Sequence, residues 1–169
     1  MPLRVKSLLQ AVVFQGLIAV ALPYLASRWF DALVLAPAVR AGGVLLIAGG
    51  LALSLWCIVL FVRVGEGTQS PRQPPKHLVT VGPYGVVRNP MLVGVNLVLV
   101  GEAVAFGSPG IAVYAAAFFA VTNVLMLTVE EPSLRRRFGE EYDSYRARVP
   151  RWVPRLRGAG LPEDRARTG

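Results

Sequence analysis

Long apolar runs separated by short polar segments make up most of this chain. Four runs are about long enough to cross a hydrocarbon layer of ~30 Å at ~1.5 Å per helical residue. They cover residues 8–26, 40–63, 91–107 and 110–129. The first is longer than the apolar core of a signal peptide and no clean A-x-A cleavage site follows it, so we expect a retained helix.

The last two runs are separated only by residues 107–110, with the sequence Gly-Ser-Pro-Gly. Such a short break between apolar helices predicts an antiparallel helical hairpin. Glycines in the second run, which allow close helix approach, are Gly42, Gly43, Gly49 and Gly50. The pattern therefore predicts an all-α polytopic membrane bundle of four transmembrane helices, followed by a cytoplasmic C-terminal helical segment.

The composition agrees with a membrane protein, since 54% of the residues are hydrophobic and 17% are charged. The net charge is +8, and we attribute it to attraction to the headgroups of the lipid bilayer rather than to nucleic acid. Cys57 is the single cysteine, which excludes a disulfide within the chain. His77 is the single histidine, which excludes a multi-histidine metal site, and we expect no metal.

Lysine and arginine set the predicted orientation, because they favour the cytoplasmic side of a membrane. They precede the first run and occupy the connection between the second and third runs, and ten arginines follow the fourth. The turn at residues 107–110 has none. We expect an inner-membrane protein with both termini in the cytoplasm, one domain over residues 1–157 and a flexible tail over residues 158–169.

Two polar segments then lie on the same predicted side of the membrane. The first, residues 82–91, reads GPYGVVRNPM, and the second contains Glu130-Glu131 and the FGEEY sequence at residues 138–142. Pro90 restrains Asn89 from helical geometry and suits the first turn of the third helix. The free N–H groups of that helix start can hold an anion or a carboxylate. A shared site at the membrane edge is the prediction.

The two segments carry a recognisable combination of motifs within residues 65–154. L-V-x-x-G-P-Y-x-x-x-R-N-P-M-x-x-G precedes the hairpin, and E-E-x-x-L-x-x-x-F-G-x-E-Y-x-x-Y-x-x-R-V-P-R-W follows it. This combination resembles the isoprenylcysteine carboxyl methyltransferase family and the related bacterial phospholipid methyltransferases. The resemblance implies S-adenosylmethionine-dependent methyl transfer to a lipid-like or prenylated acceptor at the cytoplasmic membrane face.

The resemblance also implies which residues would surround S-adenosylmethionine. These are Gln69, Lys76, His77, Leu78, Val79, Tyr84, Asn89, Pro90, Met91, Leu92 and Glu130. A carboxylate such as Glu130 suits the ribose hydroxyls or the methionine amine, and Tyr84 suits the adenine or the sulfonium. The amides near Met91 suit the methionine carboxylate.

Arg88 and Glu131 are the catalytic candidates, although Arg88 is equally well placed to anchor the chain at the cytoplasmic face. An amine acceptor must lose a proton, and Glu131 is the nearest candidate base. A carboxylate acceptor needs no base. The family's histidine before the proline is Asn89 here, which cannot transfer a proton near neutrality. A carboxylate acceptor is therefore favoured.

Two other functions stay open from the sequence. Membrane reductases that use a reduced nicotinamide cofactor have a similar C-terminal layout, and a non-enzymatic scaffold or partner-binding protein could keep the same fold. Glu102, inside the third run, is costly to bury in lipid and should face a partner or a cavity. Asn123 on the fourth run is the predicted partner of Glu102.

Overall fold

The computed structural model describes residues 16–65 and 76–154. These residues form helices and connecting loops, with no β-strand among them. The elements are α1 (Leu17–Ser27, which starts as a π-helical turn, Leu17–Ala21), α2 (Pro37–Arg63), a 3-10 turn (Gly82–Gly85), α3 (Pro90–Phe106), α4 (Pro109–Leu125, continued by a π-helical turn, Met126–Glu130) and α5 (Glu131–Arg148). The predicted all-α class is confirmed.

Two helices are long and apolar enough to cross a membrane: α2, and the continuous helix that starts with α4 at Pro109. The helices α1 and α3 are apolar but shorter. Leu45 and Leu55 on α2 are 73% and 62% exposed, as expected of side chains that face lipid. The first half of the predicted first span lies outside the described residues. The four-span topology and the orientation of the termini stay predictions.

The helices α2 and α3 touch through glycines spaced seven residues apart. A Cβ atom at Gly50 would lie 2.5 Å from the carbonyl oxygen of Gly94, and one at Gly43 would lie 2.7 Å from that of Gly101. No side chain fits between backbones that are this close, so only glycine allows the contact. A Cβ atom at Gly42 or Gly49 would instead meet no neighbouring described atom within 4 Å. One glycine of each predicted pair therefore forms the contact.

The α3–α4 turn closes one end of the bundle. Gly107 ends α3 with a φ of 61°, a left-handed conformation that favours glycine. Its carbonyl oxygen accepts a hydrogen bond of 2.7 Å from the backbone N–H of Leu33. The hydroxyl of Ser108 caps α4 by accepting from the N–H of Ile111 at 3.3 Å. The turn confirms the predicted hairpin break.

The opposite end of the bundle carries both polar segments. Because α3 and α4 run antiparallel, the start of α3 at Pro90 and the end of the π-helical turn at Glu130 lie at the same end. The loop before Pro90 and helix α5 are therefore brought together. Helix α5 is kinked at Gly139, where φ is 52° and ψ is −126°.

Candidate active site

Glu131 joins the two polar segments through ion pairs with two arginines. Its Oε1 accepts from Nη1 of Arg88 at 2.8 Å and from Nε of Arg151 at 2.7 Å. Its Oε2 accepts from Nη2 of Arg151 at 2.9 Å. The side chains of Glu131, Arg88 and Arg151 are only 9%, 11% and 21% exposed. Charge-assisted bonds that are this short and this buried fix the relative positions of the loop and α5.

Two tyrosines on α5 also contact the loop before α3. The hydroxyl of Tyr145 donates to the carbonyl oxygen of Tyr84 at 2.7 Å. Burial raises the pKa of Tyr145, so its hydroxyl stays a protonated donor. Tyr142 is 2% exposed, and burial, followed by the charge of Glu131, raises its pKa. The backbone N–H of Arg88 adds a 2.9 Å bond to the carbonyl oxygen of Pro150.

The ring of Tyr84 lies in a packed apolar cluster. It meets the ring of Phe61 on α2 edge to face, with centroids 5.4 Å apart and planes at 78°. Cys57 and Val79 are buried in the same cluster, and Met91 packs against it. These side chains anchor the loop on α2 and on the start of α3. Their predicted cofactor contacts stay predictions.

Unpaired donors remain beside the ion pairs. Nε of Arg88 and Nδ2 of Asn89 are buried and have no hydrogen-bond partner among the described residues. Asn89 directly precedes α3, and its side chain makes no capping bond there. Two unpaired N–H groups at a helix start suit an anion such as a carboxylate.

Glu130 combines accessibility with a dense protein surrounding. It follows Val129, the last residue of the apolar span, and its side chain is exposed to solvent. Desolvation nevertheless raises the pKa of Glu130, and the charge of Glu131 raises it further. Glu130 directly precedes Glu131, so this accessible carboxylate lies at the same end of the bundle as the unpaired donors of Arg88 and Asn89.

The other predicted cofactor residues have varied surroundings. Lys76 and His77 are exposed, whereas Leu78 packs against the Tyr142–Tyr145 cluster. Pro90 is fully buried. Leu92 is half-buried, and its carbonyl oxygen accepts from Nδ2 of Asn96 at 2.7 Å. Gln69 lies outside the described residues.

The sequence pattern misses three contacts of the site, and one predicted contact is wrong. The missed contacts are those of Arg151, Tyr145 and Trp152. Asn123 is the predicted partner of Glu102, but its Oδ1 accepts a 3.0 Å bond from Nε1 of Trp152. Glu102 keeps a buried oxygen without a partner among the described residues. The sequence signal for Trp152 is weak, because a tryptophan beside arginines equally indicates a headgroup anchor.

An apolar helical bundle with a polar, ion-paired junction at one end fits an integral-membrane protein. The chain belongs to the phospholipid methyltransferase family, whose model matches residues 38–141. The predicted family resemblance is thereby confirmed, and membership implies a membrane methyltransferase. Among the residues that the structure describes, no group of three or more His, Cys, Asp or Glu side chains could hold a metal ion.

The chain is also similar to the nickel-cobalt-cadmium resistance protein NccN of Alcaligenes xylosoxydans xylosoxydans. The two are 31% identical over 132 residues, which cover 77% of this chain and 56% of NccN. The chain thus spans little more than half the length of this curated relative. No solved structure matches the chain.

Proposed function

We propose that the protein transfers a methyl group from S-adenosylmethionine to a lipid-like or prenylated acceptor, with a carboxylate as the favoured acceptor group. The observation that carries the proposal is the set of ion pairs between Glu131 and the arginines Arg88 and Arg151. They join the loop before α3 to the acidic segment after α4. Those are the two segments between which the family resemblance puts the cofactor.

The residues at this junction suit the two ends of the methionine part of the cofactor. The accessible carboxylate of Glu130 would pair with the ammonium group, and the unpaired nitrogens of Arg88 and Asn89 would bind the carboxylate. Lys76 and His77, which are exposed at the same loop, would line its other side. When bound, S-adenosylmethionine supplies an electrophilic methyl group on a sulfonium.

Methyl transfer to a carboxylate requires no proton transfer. A carboxylate oxygen of the acceptor forms the new O–CH₃ bond while the S–CH₃ bond breaks, and the bonding electrons leave with sulfur as a neutral thioether. The negative charge of the acceptor and the positive charge of the sulfonium disappear together. The protein then has to align the reactants and exclude water. The guanidinium groups of Arg88 and Arg151 are the cationic groups at the junction that would attract such an acceptor.

Glu131 has a positioning role in this proposal. Guanidinium groups of Arg88 and Arg151 donate to both of its carboxylate oxygens. For Glu131 to act as the predicted general base for an amine acceptor, one of those bonds would have to break. A carboxylate acceptor leaves the ion pairs intact.

Replacing Glu130 with glutamine is expected to weaken S-adenosylmethionine binding by about 10-fold to 100-fold, because a charge-assisted hydrogen bond of ~1.5–3 kcal/mol is lost. Calorimetry on the purified protein in detergent measures the dissociation constant. Glu140→Gln, which changes an exposed glutamate on α5, is the matched control and should bind like the wild type. Equal affinities of the two variants would show that Glu130 does not bind S-adenosylmethionine. A wild type that binds no S-adenosylmethionine would overturn the proposed function.

The acceptor can be identified with membranes from cells that express the protein. After incubation with S-adenosylmethionine labelled in the methyl group, the lipid, protein and quinone fractions are separated. Label that is released by mild alkali indicates a methyl ester and thus a carboxylate acceptor. Alkali-stable label in an amino lipid would show that the acceptor group is an amine and not a carboxylate.

Metal resistance is a second candidate function, favoured by the similarity to NccN. A deletion strain grown with nickel, cobalt or cadmium tests it. Rescue by the wild type but not by Glu130→Gln would tie resistance to methyl transfer. Rescue by both would favour a non-enzymatic membrane role.

A further inference from the structure

The segment after α5 crosses the site and continues along α4; we call residues 149–153 the strap. Val149 is buried with Tyr142 and Tyr145, and Pro150 accepts the backbone bond from Arg88. Arg151 makes its two bonds to Glu131. The strap thus connects the end of α5 with the loop before α3. It also connects the end of α5 with the start of the same helix, where Glu131 lies.

Trp152 extends the strap along the apolar helix α4. Its Nε1 donates to Oδ1 of Asn123 at 3.0 Å. Its ring lies 5.2 Å from that of Phe119, centroid to centroid, at 54°. A hydrogen bond next to an aromatic contact holds a large rigid ring in one place.

The π-helical turn Met126–Glu130 sets this register. A π turn adds about one residue to an α-helical turn, so side chains about eight rather than seven residues apart stack on one face. Asn123 and Glu131 have that spacing. Trp152 accordingly contacts Asn123, and the adjacent Arg151 contacts Glu131. Asn123, to which Trp152 donates, lies about two turns, or about 11 Å along the helix axis, from Glu131 toward the apolar part of α4.

The matched family model ends at residue 141, before the strap, although the R-V-P-R-W sequence at residues 148–152 belongs to the motif that carries the family resemblance. We propose that Trp152 is a specificity-determining residue, whose ring forms the wall that the apolar chain of the acceptor contacts. The inference rests on the proposed function. A lipid-like acceptor keeps its chain among apolar surfaces while its carboxylate approaches the guanidinium groups of Arg88 and Arg151. Because Asn123 and Glu131 share one face of this helix, an apolar chain that runs along that face toward the arginines would contact the ring of Trp152.

The test compares steady-state methyl transfer to S-alkyl-N-acetylcysteines with short, medium and long alkyl chains. Trp152→Ala should raise the KM of the preferred acceptor about 10-fold and abolish the chain-length preference, since an aromatic contact and its buried area are lost. kcat at saturation and the affinity for S-adenosylmethionine should stay within about twofold of the wild type. Trp152→Phe keeps a ring at this place and should retain the preference.

Two further variants separate selection of the acceptor from a general loss of structure. Trp29→Ala removes a 78% exposed tryptophan far along the chain from the site and should leave all constants unchanged. Asn123→Leu keeps a similar side-chain size and removes the acceptor of the Trp152 bond together with the rest of the amide, so it should raise the KM about threefold without changing kcat.

An unchanged KM for every chain length in Trp152→Ala would overturn the inference. So would a fall in kcat and in S-adenosylmethionine affinity that Trp152→Phe does not rescue, because that pattern indicates a structural role alone. If the wild type binds no S-adenosylmethionine and methylates no lipid, the proposed function itself is wrong. These outcomes are distinguishable because the first two require an active wild type.

Discussion

Replacing Glu131 with glutamine is expected to destabilise the protein by about 3–5 kcal/mol and to reduce methyl transfer about 100-fold. The substitution leaves the buried guanidinium groups of Arg88 and Arg151 without their counter-charge. Removing one partner of a buried ion pair typically lowers the free energy of unfolding by about 3–5 kcal/mol. The loop before α3 then moves relative to α5, and misplacement by about 1 Å costs about 100-fold in rate. Denaturant unfolding in detergent and the labelled-methyl assay measure the two effects.

An exposed ion pair on the same helix is the matched control. Nε of Arg135 lies 3.0 Å from Oδ2 of Asp143, with side chains 63% and 41% exposed. Asp143→Asn should cost less than about 1 kcal/mol, because solvent screens exposed pairs. If Glu131→Gln were no more destabilising than Asp143→Asn, the buried ion pairs would not hold the site together.

A triple variant separates stability from function at the same place. Glu131→Leu with Arg88→Met and Arg151→Met replaces the charged group by apolar side chains of similar size. Buried ion pairs replaced in this way often leave stability unchanged or raised. The triple variant should therefore be more stable than Glu131→Gln and still transfer no methyl group. Activity in this variant would exclude the arginines from the reaction.

The helices could be predicted from the sequence because the apolar runs are bounded by proline and glycine residues that begin and end helices. Pro90 begins α3 as expected from its fixed φ and missing N–H, and the glycine at 107 ends that helix. The glycines of α2 indicated a close helix contact. The sequence could not tell which glycine of each adjacent pair would form it, because neighbouring residues point in directions only about 100° apart around the helix.

The site could be predicted only in part, because its strongest contacts join distant residues. The prediction brought the loop before α3 together with the acidic segment, and Arg88 does contact Glu131. Arg151, however, is 20 residues from Glu131, and an arginine beside a membrane helix equally indicates a lipid anchor. The ring of Tyr84 packs against Phe61, a contact that the motif does not indicate, and its predicted cofactor contact stays a prediction. A motif identifies a residue type and a position, but the direction of a side chain depends on what packs around it.

Replacing Gly43 and Gly50 together with alanine is expected to destabilise the bundle by about 2–6 kcal/mol. Overpacking costs about 1–3 kcal/mol at one site, and the two sites, two helical turns apart, should contribute independently. The new Cβ at Gly50 would lie 2.5 Å from a backbone oxygen of Gly94, which cannot rotate away as a side chain would. The helices α2 and α3 must therefore separate, which also shifts Arg88 and Asn89 at the start of α3 and lowers methyl transfer.

The neighbouring glycines provide the control for this prediction. Gly42→Ala with Gly49→Ala adds the same two methyl groups to the same helix, at positions that face open space. Helix propensity favours alanine over glycine by up to about 1 kcal/mol per site in both double variants. The difference in unfolding free energy between the two therefore reports the helix contact alone. Equal stabilities would mean that α2 and α3 do not meet through Gly43 and Gly50, and the start of α3 would then lack the support that positions Asn89.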